Sequence, residues 1–185
     1  MCLFITATLS SDANLDALRP LITQHQLEFA PLDNPHVREQ LEPGEGYFHA
    51  SGCHCDCEST LGSHPSSREP VDREVRRHLR RKGWSEAKIQ RWLDQQKAIA
   101  ARNERVARQQ GGRPTPSLRQ WEEALRALID SGHTSHVGLL LHDFQGSLSA
   151  EVITVLARES IPVEELSAQY LLGLRKDVLY RFGRR

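Results

Sequence analysis

A chain of 185 residues with 24 basic and 24 acidic side chains and only 38% apolar content can form one core, with a polar piece left over. No apolar run approaches the ~18 residues a membrane-spanning helix needs, and the opening residues lack the basic flank of a secretion signal, so the expected compartment is the cytoplasm. The zero net charge hides a segregation: residues 68–113 carry 14 Lys and Arg against 6 Asp and Glu, and the remainder is acidic to the same extent.

Residues 2–9 (CLFITATL) are rich in β-favouring side chains, with Phe4, Thr6 and Thr8 on one side and Leu3, Ile5, Ala7 and Leu9 on the other. Ser10-Ser11-Asp12 offers capping oxygens to a helix in which Leu15, Leu18, Leu21, Ile22 and His25 recur at helical spacing. Pro20 is expected to kink that helix or to sit in a late first turn. Residues 27–32 read as a short strand that Pro31 confines to a sheet edge. A polar connection over 33–46 leads to a third strand at 47–51, and residues 58–69 read as a loop.

Between 70 and 110 the period becomes helical. Val71, Val75 and Leu79 form a narrow stripe, with Arg73, Arg76, Arg77, Arg80 and Arg81 away from it. Gly83 suits a C-terminal cap and Ser85 an N-terminal one, which places Ile89, Trp92, Leu93 and Ile99 on a second helix. The result is a basic helical hairpin whose stripe is too narrow for an independent domain. Ser117 caps a further helix carrying Leu118, Trp121, Leu125, Leu128 and Ile129. Residues 136–142 are the most apolar strand candidate, 152–156 a second, and a short helix at 165–174 and a strand at 177–182 end the chain. This order predicts an α+β fold of the ferredoxin-like βαββαβ kind, with a core from residues 1–57 and 116–185 and the basic helical hairpin inserted at 58–115.

Chemistry concentrates in Gly52-Cys53-His54-Cys55-Asp56-Cys57-Glu58, which holds three of the four cysteines; the fourth is Cys2. In a βαββαβ sheet the first and third strands are adjacent and antiparallel, so Cys2 is expected to meet the cluster at one end of the sheet. Four thiolates suit tetrahedral zinc, with Zn–S near ~2.3 Å. Alternate side chains of an extended strand stand ~6.5–7 Å apart, so the segment must curl, which Gly52 permits. The expected ligands are Cys2, Cys53, Cys55 and Cys57, with His54 or His49 as a substitute.

Two other readings use the same thiols. A reversible disulfide is disfavoured by Asp56 and Glu58, whose charges oppose thiolate formation. Small cysteines buried silently at a strand end are the plain alternative. The opening Met-Cys resembles that of the N-terminal nucleophile amidotransferases in those two residues alone, with no Gly-rich or Asn-Gly-Asp pattern beside it.

His142-Asp143 ends the apolar strand, but strand neighbours face opposite ways and should not pair. The common nucleotide-binding, hydrolase and zinc-protease signatures are absent. Arginines beside Trp84 and Trp92 would suit nucleic acid, yet acids interleave with them and the indoles fall on the stripe that should be buried. An acidic protein surface is therefore the favoured partner, met by Arg76, Arg77, Arg80 and Arg81. The expected function is that of a cytoplasmic, bacterial-type protein-binding protein, immunity-like or a regulatory adaptor, with a zinc-stapled core. The alternative is a thiol- or zinc-dependent enzyme using Cys2 and the 53–57 cluster.

Overall fold

The computed structural model describes residues 2–51, 56–57, 59–62, 80–81, 83–92 and 115–184. The chain divides into two compact units, residues 1–63 with 115–185, and residues 64–114.

The larger unit is a mixed α+β fold on a six-stranded sheet. Its elements run β1 (Cys2–Leu9), α1 (Leu15–Gln24), β2 (Ala30–Pro31), α2 (Pro35–Arg38), β3 (Gly46–His49), α3 (Leu118–Asp130), β4 (His136–Phe144), β5 (Ala157–Pro162), α4 (Ala168–Leu172) and β6 (Val178–Gly183). The strand order is β2-β3-β1-β4-β6-β5, with only the β5–β6 pair parallel.

Local chemistry explains most of these boundaries. The Asn14 side chain, not Ser10–Asp12, caps α1 by accepting the Ala17 N–H. Pro20 lies inside that helix rather than in its first turn. Ser117 and Gln120 form a reciprocal capping box at the start of α3, which buries Trp121, Ala124, Leu125, Leu128 and Ile129. The short α2, absent from the sequence reading, begins at Pro35 after an Asn34 cap.

The expected strand at 152–156 is irregular, and the strand lies at 157–162 instead. β5 is an edge strand in which only Ile161 is fully buried, so ARESIP lacks the apolar run of a central strand. The expected helix at 165–174 is a 3-10 turn at 163–165 followed by the shorter α4.

Both faces of the sheet are covered. Ile5, Ala7, Leu9, Phe48, Leu139 and Leu141 pack with Leu18, Ile22, Trp121, Leu125 and Leu128 in the main core. On the other face Tyr47, Leu140, Phe144 and Leu179 pack with Val37 and Ile153 from the flanking connections. Those connections are stitched together: the buried Asn34 amide donates to the carbonyls of Leu148 and Glu151, each at 2.9 Å. Gln40 donates to Ile153 O at 2.7 Å and accepts from Val155 N at 2.8 Å. The face bearing Thr6 and Thr8 is therefore interior, and both threonines are fully buried. Gly138 is required there, because a Cβ at that position would stand 2.2 Å from Thr8 Oγ1.

In the smaller unit, Gly83 has φ +77° and residues 86–92 are helical, with the Ile89 N–H bonding back to Ser85 O at 3.0 Å. Ile89 is buried against Trp84 and Trp92, and Lys88 Nζ lies 4.2 Å from the Trp84 ring centroid. Both indoles thus pack on Ile89, the side the sequence assigned them. Arg80 pairs with Glu86 at 2.8 Å, and Arg80 and Arg81 are exposed. Arg76, Arg77 and the rest of the hairpin lie outside the described residues.

Candidate functional site

The pairing of β1 with β3 runs from Leu9↔Gly46 to Thr6↔His49 and continues in a bond from Ala50 N to Ile5 O at 3.1 Å. Beyond the cysteine cluster the chain returns to the same strand. Asp56 N donates to Leu3 O at 2.8 Å, and Leu3 N donates to Cys57 Sγ at 3.3 Å, across 54 positions of sequence. Cys57 therefore lies against the residue that follows Cys2, and both are free, exposed thiols. For these two cysteines the reading of silently buried thiols does not hold. Cys53, His54 and Cys55 lie outside the described residues. Among the described residues, no group of three or more His, Cys, Asp or Glu is arranged to hold a metal ion.

Asp56 anchors this return. Its side chain is fully buried, and Oδ2 accepts the Ile5 N–H at 2.7 Å with His49 Nε2 3.6 Å away. Oδ1 is buried with no hydrogen-bond partner among the described residues. The His49 ring meets the Phe4 ring edge-on at 5.5 Å, and its Nε2 lies 3.3 Å from Ser51 Oγ. From the sequence Asp56 is a charge beside the thiols and a residue able to turn the chain on its own backbone; its bond to the distant Ile5 N–H was not anticipated. Its one signal was position, immediately after a strand whose neighbour must still pair.

A second polar cluster lies toward the same end of the sheet. His142 Nδ1 meets Asp177 Oδ1 at 2.5 Å, and His142 Nε2 faces Glu151 Oε1 at 3.6 Å. Asp143 pairs with Lys176 at 2.5 Å, so the adjacent His142 and Asp143 take separate partners. Asp177 holds φ +61° at the entry to β6, a left-handed position that places its carboxylate on the histidine. Glu151 accepts the Gly146 N–H at 2.7 Å and the Gln145 N–H at 2.8 Å. The Gly146 bond leads the interactions that hold the Glu151 carboxyl below its ordinary range.

The opposite end, where β1 finishes and β4 begins, carries a third cluster. Glu45 accepts from His136 Nε2 at 2.6 Å and from Arg181 Nη2 at 2.8 Å. Burial pushes the Glu45 carboxyl up, but the His136 hydrogen bond, the Glu42 backbone contact and the charge of Arg181 together hold it below its ordinary value.

The fold and this geometry define an α+β protein with exposed thiols at one sheet end and a buried ion-pair cluster at the other. The chain matches no family model, no curated protein and no solved structure.

Proposed function

We propose that this chain is a protein-binding protein, immunity-like or a regulatory adaptor, with a core stapled by zinc. The ligands are Cys2, Cys53, Cys55 and Cys57, with His54 as the substitute donor. The observation that carries the reading is the bond from Leu3 N to Cys57 Sγ, which brings the far end of the cluster to the start of β1. That N–H also supplies a donor to a sulfur that a metal would leave with negative charge. A closed four-ligand zinc site contributes folding energy, and here it would tie the first strand to a segment remote in sequence. A reducing cytoplasm is the compartment that keeps such thiols available.

The ferredoxin-like reading belongs to the same proposal. Within the sheet the run β2-β3-β1-β4 puts β1 and β3 side by side and antiparallel, as a βαββαβ unit does, and β6 and β5 then extend it. Among the described residues, no helix is long and apolar enough to cross a membrane.

The basic helices supply the partner-facing arm, through Arg76, Arg77, Arg80 and Arg81 toward an acidic protein surface. Exposure of Arg80 and Arg81 supports this part. Reversing all four arginines to glutamate should reduce capture of an acidic protein partner from cytoplasmic extract by at least about tenfold, since several like charges would then face the partner. Metal content and thermal stability should not change. Capture that survives the reversal rules out the arm.

One observation favours an enzyme instead: Asp56 keeps a buried oxygen without a partner among the described residues, beside His49 and next in sequence to Cys57. Three protein ligands with water in the fourth position would accompany that reading.

A further inference from the structure

At the end of the sheet away from Cys2, β4 begins and β5 and β6 finish around a cavity of about 490 Å³. Glu42, Ser135, His136, Ser160, Arg181 and Arg184 are among its lining residues. The volume falls within the ~300–1,000 Å³ typical of small-molecule sites.

The cations on this cavity are held in two different ways. The Arg181 side chain is only 14% exposed, and its Nη2 is fixed by Glu45, whose side chain is 1% exposed and also engaged by His136. Glu45 thus orients the guanidinium from beneath and is closed to exchange. Arg181 Nη1, by contrast, is met by Glu42, whose side chain is 64% exposed. An exposed carboxylate of this kind contributes only ~0–1 kcal/mol and gives way readily to a competitor. Arg184 is similar: its partner Asp130 is 62% exposed, and Arg184 itself 60%. The Arg181 Nε is buried without a hydrogen-bond partner among the described residues, so that guanidinium still has an unmet donor.

We propose that this cavity binds a small oxyanion, the carboxylate or phosphate of a metabolite-sized molecule, between Arg181 and Arg184. Glu42 occupies the place of the ligand's charge, and the incoming oxyanion displaces it from Nη1. Planar guanidinium groups suit that exchange, because they meet carboxylate and phosphate oxygens in pairs of parallel hydrogen bonds. The buried Glu45–Arg181 contact stays intact and supplies the preorganisation that an exposed arginine lacks. Ser160 adds a hydroxyl donor at the wall, while the Ser135 hydroxyl donates to Asp12 at 3.2 Å. The site uses none of the thiols and stands or falls separately from the zinc reading.

The test is calorimetric titration of the full chain, as purified, with inorganic phosphate and with succinate at fixed ionic strength. Wild type, Glu42→Gln and Arg184→Gln are compared; both substitutions alter exposed side chains, and thermal unfolding verifies that each variant is folded. Saturable binding is expected, tightened about threefold or more by Glu42→Gln and weakened about tenfold by Arg184→Gln, the latter being one charged contact. Tighter binding of phosphate assigns a phosphorylated ligand, and tighter binding of succinate a carboxylate. Heats without saturation for both probes in wild type and Glu42→Gln would overturn the proposal. So would equal affinity in wild type and Arg184→Gln.

Discussion

Replacing Asp56 with alanine should destabilise the protein by about 3 kcal/mol and lower the zinc content expected of the proposed staple. The carboxylate is fully buried and is the acceptor for the Ile5 N–H at 2.7 Å. Removing it leaves a buried backbone donor unmet, which costs ~1–3 kcal/mol, with more lost where the acceptor was charged. It also frees the segment that holds Cys57 against β1, so Cys57 loses its place beside Leu3. For a chain of this length ~1 kcal/mol moves the melting temperature by ~2–4 °C, giving a drop of roughly 6–12 °C. Asp56→Asn keeps the volume and one acceptor oxygen and should recover at least half of the loss. Thermal unfolding and zinc content are read on the same samples. A melting temperature for Asp56→Ala within ~2 °C of wild type would show that this carboxylate does not support the site.

Glu45→Ala should cost about 3–5 kcal/mol, the range seen when one member of a buried ion pair is removed. Glu45 is 1% exposed and is shared by Arg181, 14% exposed, and His136, 20% exposed. Truncation removes the buried partner of Arg181 Nη2 and leaves the guanidinium only the exposed Glu42 on Nη1. The same contact makes a pH prediction. The Glu45 carboxyl is held below its ordinary 4.5 in the folded chain. Its contribution is therefore complete above that value and is lost as pH falls from 4.5 through the lower folded value. Chemical denaturation of wild type should show stability declining over that acid window. Glu45→Gln should be less stable at neutral pH and flatter across it. An acid limb of equal slope in both proteins would place the titrating group elsewhere.

How far the sequence carried the fold is clearest at three places. The alternation in residues 2–9 correctly gave a strand and put Phe4, Thr6 and Thr8 on one side, but it did not show that this side is interior, with both threonines fully buried. Their burial depends on cover from the connections at 33–41 and 145–156, which Asn34 and Gln40 bind to each other. Such long-range stitching has no periodicity to read. The α3 helix was legible because cap and apolar stripe agree locally, Ser117 with Gln120 at one end and Trp121 through Ile129 along one face. β5 was not, since an edge strand needs few buried side chains and ARESIP supplies little apolar alternation.

The candidate sites were legible unevenly. Adjacency of the first and third strands was legible, and Cys57 lies beside Leu3 at the start of β1; Cys53 and Cys55 fall outside the described residues. Asp56 was invisible as a support, because its role depends on a backbone N–H contributed by Ile5, and His49 stands 3.6 Å from the same carboxylate oxygen. The Glu45–His136–Arg181 cluster joins residues from three distant segments. Each looks like an ordinary surface charge until β3, β4 and β6 converge.

Metal content decides whether zinc ties Cys2 to the 53–57 cluster. Mass spectrometry of the full chain, purified without chelator, is paired with titration of its thiols. About one zinc per chain with four slowly reacting thiols is the predicted result, and substitution of Cys2 or Cys57 by serine should lower the zinc content. A metal-free chain whose four thiols react at the ordinary rate would rule out the staple.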